Sequence, residues 1–66
     1  MVIMLKAVFY LNGTQVYRAK VVDMVGEKQT AKITKVAEDN YTNNGKDITL
    51  VKLKGKYTLK VKIKEF

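Results

Sequence analysis

A chain of 66 residues is long enough for one small domain with a thin hydrophobic core, since chains of this size bury only about 60% of their unfolded surface. It contains no cysteine and no histidine, which excludes a disulfide framework, most zinc sites and the usual general base near neutral pH. Thirteen basic residues against six acidic ones give a net charge of +7, which predicts attraction to polyanions.

The chain reads as β-strands separated by turns. Runs rich in valine, isoleucine, threonine and tyrosine alternate with glycine-containing turns, a pattern typical of small antiparallel domains. Five strands are predicted, at residues 2–11, 14–25, 29–37, 47–53 and 56–65. We therefore predict an all-β fold for a single domain of residues 1–66. It would be a small five-stranded antiparallel barrel or a strongly bent sheet, SH3-like or OB-like.

The first two predicted strands meet in a turn that contains Asn12 and Gly13. A three-residue loop places Leu5 opposite Ala19 and keeps large apolar residues beside small ones. A two-residue turn places Leu5 opposite Lys20 and mixes charge into the apolar face, because a slip of one residue reverses every side chain. We therefore predict the three-residue loop. The first strand is apolar on both faces, so we expect it to be central in the sheet or covered.

Residues 29–37 fit two conformations. β-Branched residues such as Ile33 and Val36 favour the pleated state, and we predict a bent strand. The same residues match helical spacing in a segment rich in helix formers, so the alternative is one short helix within residues 27–38. Residues 38–47, "EDNYTNNGKD", then read as a long turn or a hairpin tip.

The last predicted hairpin turns at Lys54 and Gly55. A two-residue turn there pairs Leu50 with Leu59 on one face, which we predict to be the core face. The opposite face of this hairpin is then polar and exposed to solvent.

The final strand alternates lysine or threonine with apolar residues. Residues on the same face of a strand lie about 6.6–6.8 Å apart, so its lysines form a straight row whose spacing is close to that of successive phosphates. Lysine suits phosphate backbones better than base edges, which predicts binding with little sequence preference. The predicted nucleic-acid-binding residues are Lys60, Lys62, Lys64, Lys54, Lys56, Arg18 and Lys20.

The lysine row is also compatible with roles that involve no nucleic acid. Lysines on an edge strand prevent edge-to-edge aggregation without any ligand. A positive face also suits an acidic protein partner, for which the chain would act as an adaptor or inhibitor. A thin core and an apolar first strand favour a homo-oligomer. No tyrosine or phenylalanine interleaves with the lysines on their predicted face, which counts against base stacking.

No catalytic or metal site is predicted. Glu38 and Asp39 are adjacent, and neighbouring residues on a strand point to opposite faces, so they do not form an acid-base pair. The asparagine-rich segment "DNYTNNGKD" lacks the alternating acids and the closing glutamate of a calcium loop. We expect a protein without enzymatic activity, cofactor or metal.

The start of the chain, "MVIMLKAVFYLNG", resembles an export signal only in its apolar content. It lacks a positive segment before the apolar run and a small-residue cleavage site after it. No segment approaches the about 20 apolar residues of a membrane span. We therefore expect a cytoplasmic protein with no membrane partner.

Overall fold

The computed structural model describes residues 4–66, which form an antiparallel sheet with two helices packed on one face. The elements in chain order are β1 (Leu5–Leu11), β2 (Thr14–Val16), α1 (Arg18–Val25), α2 (Glu27–Asn44), β3 (Ile48–Leu53) and β4 (Tyr57–Glu65). The strands lie in the order β2-β1-β4-β3. One face of this open sheet is covered by the helices, and the other face is uncovered.

The prediction of a five-stranded all-β barrel is therefore wrong. The predicted second strand, residues 14–25, forms a strand only as far as Val16 and then becomes α1. The predicted third strand, residues 29–37, lies within α2. The alternative helix at 27–38 has the right conformation but is too short, since α2 contains 18 residues. An apolar sheet face needs a cover, and here the helices supply it instead of barrel closure.

Helix α2 forms despite its β-branched residues because some of them are buried and the threonine hydroxyls donate hydrogen bonds to the helix backbone. Thr30, Ile33 and Ala37 follow helical spacing and are buried against the sheet. The hydroxyl of Thr30 donates to the carbonyl oxygen of Gly26 at 2.7 Å, and that of Thr34 donates to the carbonyl of Thr30 at 2.9 Å. These bonds to the preceding turn satisfy the threonine hydroxyls within a helix.

Two glycines delimit α2. Gly26, with φ 89° and ψ 162°, separates it from α1 in a conformation that is essentially restricted to glycine. Gly45 is in the left-handed conformation, with φ 69°, and ends the helix. The amides of Gly45 and Lys46 donate to the carbonyls of Tyr41 and Asn40, each at 3.1 Å. The predicted turn at residues 38–47 is therefore mostly the last part of this helix.

The first hairpin has a two-residue turn instead of the predicted three-residue loop. Leu11 pairs with Thr14, which leaves Asn12 and Gly13 as the turn. Both have positive φ, 48° and 87°, as a type I′ turn requires. The three-residue loop was predicted in order to keep Lys20 from lying opposite Leu5. Because β2 ends at Val16, Lys20 does not pair with β1 at all, and this reason for the longer loop does not apply.

The last hairpin also differs from the prediction by one residue. Residues 54–56 form a three-residue loop, and Val51, not Leu50, pairs with Leu59. The shift moves Leu50 from the predicted core face to the opposite face, beside Lys60. Leu50 is accordingly 66% exposed.

Two structural expectations are confirmed. Strand β1 is central, with β2 on one side and β4 on the other. Strand β4 is extended and buries its apolar side chains, including Leu59, Val61 and Ile63, whereas the intervening lysines are half-buried or exposed. The core further contains Phe9, Val21, Ile33, Ala37 and Leu53. Residues 2 and 3, the predicted start of the first strand, lie outside the described residues.

Candidate nucleic-acid interface

The sheet face turned away from the helices is called the open face. Its residues follow from strand alternation, because Phe9, Val61 and Ile63 are buried in the core on the helix side. Among the paired strand residues, those of the open face are Lys6, Val8, Tyr10, Gln15, Ile48, Leu50, Lys52, Thr58, Lys60, Lys62 and Lys64. Five of these are lysines, and they come from three different strands.

The lysines of β4 form the middle column of the open face. Lys64 pairs with Lys6 on β1, while Lys62 lies between Val8 and Ile48. Neighbouring strands are about 4.8 Å apart, so these side chains are close neighbours. Val8 is only 9% exposed although it faces away from the core, and its neighbour Lys62 is half-buried. A lysine stem that covers apolar surface while its ammonium group stays in water accounts for both values.

The predicted binding residues Lys60, Lys62 and Lys64 are thus brought together on one surface. The structure adds two lysines that were not among them. Lys6 lies beside Lys64, and Lys52 lies opposite Thr58 at the other end of the column. Only the pairing register shows that Lys52 belongs to this face, since its place in the sequence does not reveal which side of β3 faces the helices.

Carboxylates are absent from the open face in the part of the chain that the structure describes. Glu65, the acidic residue of β4, pairs with Leu5 on the covered side. Partial burial raises the pKa of the Tyr41 hydroxyl on α2, and the nearby carboxylates of Glu65 and Asp47 raise it further. Those two acids therefore lie on the helix side of the sheet. The remaining acidic residues, Asp23, Glu27, Glu38 and Asp39, are on the helices.

An aromatic ring lies among the lysines, contrary to the prediction. Tyr10 on β1 pairs with Lys60, and the Lys60 ammonium nitrogen lies 4.9 Å from the centroid of the ring, within cation–π distance. The residue pattern of the final strand could not predict this neighbour, because Tyr10 lies on the adjacent strand β1. Leu50 flanks Lys60 on the other side.

Three of the predicted binding residues form a separate cluster at the end of the sheet. Lys54 and Lys56 are on the β3–β4 loop, and Lys20 is on α1. Together with Leu11, Met24 and Tyr57 they line a shallow cleft of about 310 Å³. The ammonium nitrogen of Lys56 lies 5.7 Å from the centroid of the Tyr57 ring, which belongs to the helix side. These lysines add positive charge near the open face but are not part of it.

Arg18 is not on a strand of the open face, although it lines a pocket with the open-face residues Lys6, Val8 and Gln15. It begins α1 instead of lying on a strand, and its guanidinium group forms two hydrogen bonds with the Glu27 carboxylate, one of them 3.0 Å between Nη1 and Oε2. These bonds raise the pKa of Arg18 and lower the pKa of Glu27. Arg18, which is the single arginine in the sequence and a predicted binding residue, is therefore engaged in an exposed ion pair with Glu27.

Two negative findings concern residues 4–66. No three histidine, cysteine, aspartate or glutamate side chains lie close enough together in this part of the chain to hold a metal ion. Within the same residues, neither helix is both long and apolar enough to cross a membrane.

Comparisons with known protein families, with curated proteins and with solved structures found no match to this chain. No function can be transferred from a relative. Function is therefore inferred from the open face itself, from its charge and from the side chains that flank its lysines.

Proposed function

We propose that the protein binds nucleic acid through the phosphate backbone, with little sequence preference, and that the open face is the contact surface. The proposal is carried by one observation: five lysines from three strands share a face that holds no carboxylate among the described residues. Such a concentration of one sign of charge attracts polyanions and raises their rate of association. Lys60, Lys62 and Lys64 would form the central contacts, with Lys6 and Lys52 at the two ends.

The position of β4 argues against a purely protective role for its lysines. Lysines that protect against aggregation belong on edge strands, where unpaired backbone groups invite another strand. Strand β4 is paired on both sides, with β1 and with β3, so it needs no such protection. The edges of this sheet are β2 and β3, which together contribute only Lys52.

The type of basic residue supports low sequence specificity. Arginine reads guanine edges through its planar fork, but no arginine lies on the open face among the described residues. Lysine provides a point charge that contacts phosphates of any sequence. Lys20, Lys54 and Lys56 would strengthen the positive field at one end of the sheet, whereas Arg18 would contribute less because Glu27 neutralises it.

An acidic protein partner is the second candidate, and the exposed apolar residues of β3 favour it. Ile48 is 41% exposed and Leu50 66%, both on the open face and on an edge strand. Apolar surface surrounded by charge is a common feature of protein-binding sites. A second copy of the chain is a poorer partner for this face, because stacking would oppose five lysines to five others.

Fluorescence anisotropy with a labelled oligonucleotide at several salt concentrations tests the proposal. Five neutralised phosphates predict that log K falls against log salt with a slope of about −4.5 on a duplex or about −3.5 on a single strand. Removal of one contact, as in Lys62→Gln, should reduce the slope by about 0.7 to 0.9. Lys35→Gln is the matched control, since Lys35 lies on α2, is exposed and pairs with Asp39 at 3.7 Å.

Three results would count against nucleic-acid binding. These are binding that ignores salt, equal weakening by Lys62→Gln and Lys35→Gln, and no measurable binding at low salt. A pull-down from lysate treated with nuclease then distinguishes the second candidate. An acidic protein partner would be supported by a protein that remains bound to the wild-type chain after nuclease treatment but does not bind the Lys62→Gln variant.

A further inference from the structure

We infer that the open face is adapted to single-stranded nucleic acid and not to a duplex, an inference that rests on the proposed function. The residues that flank the lysines point to this ligand. Lys60 lies between Tyr10 and Leu50, and Lys62 lies between Val8 and Ile48. Two of the three lysines of the column, Lys60 and Lys62, are thus bordered by an aromatic or aliphatic side chain on each side.

A duplex would use only part of this surface. Its bases are paired inside and its exterior presents phosphates, so a duplex would contact the ammonium groups and leave Tyr10 and Leu50 without suitable partners. A single strand exposes the faces of its bases beside the same phosphates. Proteins that bind single strands combine a positive track with aromatic rings on which bases stack. Tyr10 beside Lys60 provides that combination.

A second aromatic ring lies at the other end of the lysine column. The amide of Phe66 donates to the carbonyl of Met4 at 3.0 Å, which extends the pairing of β4 with β1 by one step. Alternation assigns both side chains to the open face. Phe66 is 73% exposed and Met4 53%, so both side chains are accessible to a ligand.

The distance between the two rings suggests the length of the bound segment. Phe66 lies six positions beyond Lys60, which pairs with Tyr10, and strands rise about 3.4 Å per residue, so the backbone positions that carry the two rings are about 20 Å apart along the strands. Lys60, Lys62 and Lys64 occupy the interval. Three phosphates between the rings link four nucleotides, and contacts to Lys6 and Lys52 would bring the number of phosphates to five, so we expect a site of about six nucleotides, toward the lower end of the range for single-strand-binding domains.

The test compares labelled 12-nucleotide dT, the corresponding rU and a 12-base-pair duplex by fluorescence anisotropy at low salt. We expect both single strands to bind at least about tenfold more tightly than the duplex. Tyr10→Ala should weaken single-strand binding about tenfold and change duplex binding little, while Tyr10→Phe should retain the wild-type affinity. Val36→Ala is the control for loss of an exposed apolar side chain, because Val36 is 52% exposed and lies on α2, on the helix side of the sheet.

Tyr10 is partly buried, so Tyr10→Leu provides a variant that keeps apolar volume while it removes the ring, and circular dichroism checks that each variant is folded. Equal affinity for duplex and single strand would overturn the inference, as would equal effects of Tyr10→Ala and Val36→Ala. If binding still depended on salt and on Lys62, the proposed function would survive that result.

Discussion

The two faces of β4 differ in burial and charge, although their residues alternate along one strand. Leu59, Val61 and Ile63 are almost fully buried beneath the helices, whereas Lys60 and Lys62 between them keep contact with solvent. The covered face supplies the apolar burial that stabilises the fold. The open face carries charged and exposed apolar side chains, which are not part of the hydrophobic core. Stability and the proposed ligand recognition are thus separated by side-chain direction instead of by region of the chain.

Adjacent substitutions on β4 test that separation most strongly. Leu59 has no exposed surface, so Leu59→Ala should lower the free energy of unfolding by about 2–5 kcal/mol through lost burial and the cavity left behind. Lys60→Ala, one residue further, should change it by about 0.5 kcal/mol or less, because Lys60 is not part of the core. Urea denaturation measures both. Comparable losses from the two variants would show that the open face also stabilises the fold.

The helical cover depends on the backbone at Gly26. Its φ of 89° and ψ of 162° are unfavourable for a side chain, and no other atom lies within 4 Å of the position of a Cβ there. Gly26→Ala should therefore destabilise the protein by about 1–3 kcal/mol through backbone strain alone. Gln29→Ala on the exposed side of α2 is the control, with an expected change within about 0.5 kcal/mol. A harmless Gly26→Ala would mean that the two helices do not need this bend.

The smallest expected effect concerns the ion pair between Arg18 and Glu27. The hydrogen bonds from Arg18 lower the pKa of Glu27 in the folded state, so the pair stabilises the protein above the unfolded pKa of about 4.3. That contribution is lost as the pH falls through the folded pKa. The stability difference between wild type and Glu27→Gln should therefore be larger at pH 7 than at pH 3 and should shrink in high salt.

Thermal melts at the two pH values measure this difference. Glu38→Gln is the control for the general effect of removing a negative charge, because Glu38 takes part in no ion pair among the described residues. An equal pH dependence in the two variants would show that the Arg18 pair contributes nothing specific. Nucleic-acid binding should be unaffected in Glu27→Gln if the open face alone forms the contact surface.

The lysine column could be predicted because it depends on alternation within a single strand. Residues 57–65 separate charged and apolar side chains with period 2, which the backbone geometry of a strand requires. A central or covered position of β1 was predicted for a similar reason, since its apolar residues lie on both faces, and the strand is central. Neither prediction needed knowledge of another part of the chain.

The errors arose where local patterns supported two structures. Thr30 and Ile33 fit a strand by propensity and a helix by spacing, and packing of that helical stripe against the sheet decides between them. Both hairpins were predicted with the wrong loop length, by one residue each. In the second hairpin, the additional loop residue shifts the pairing register, so that Leu50 lies on the open face instead of the predicted core face.

The amino-acid sequence alone determined the positive charge, the absence of histidine and cysteine, and the extended, two-sided final strand, because each depends on composition or on neighbouring residues. The tertiary structure decided which side chains surround the lysines. Tyr10 reaches Lys60 only through pairing between residues far apart in the chain, and Leu50 joins them only through the observed register. Long-range pairing and the cover of the sheet are cooperative properties of the whole fold, which is why no local pattern predicted them.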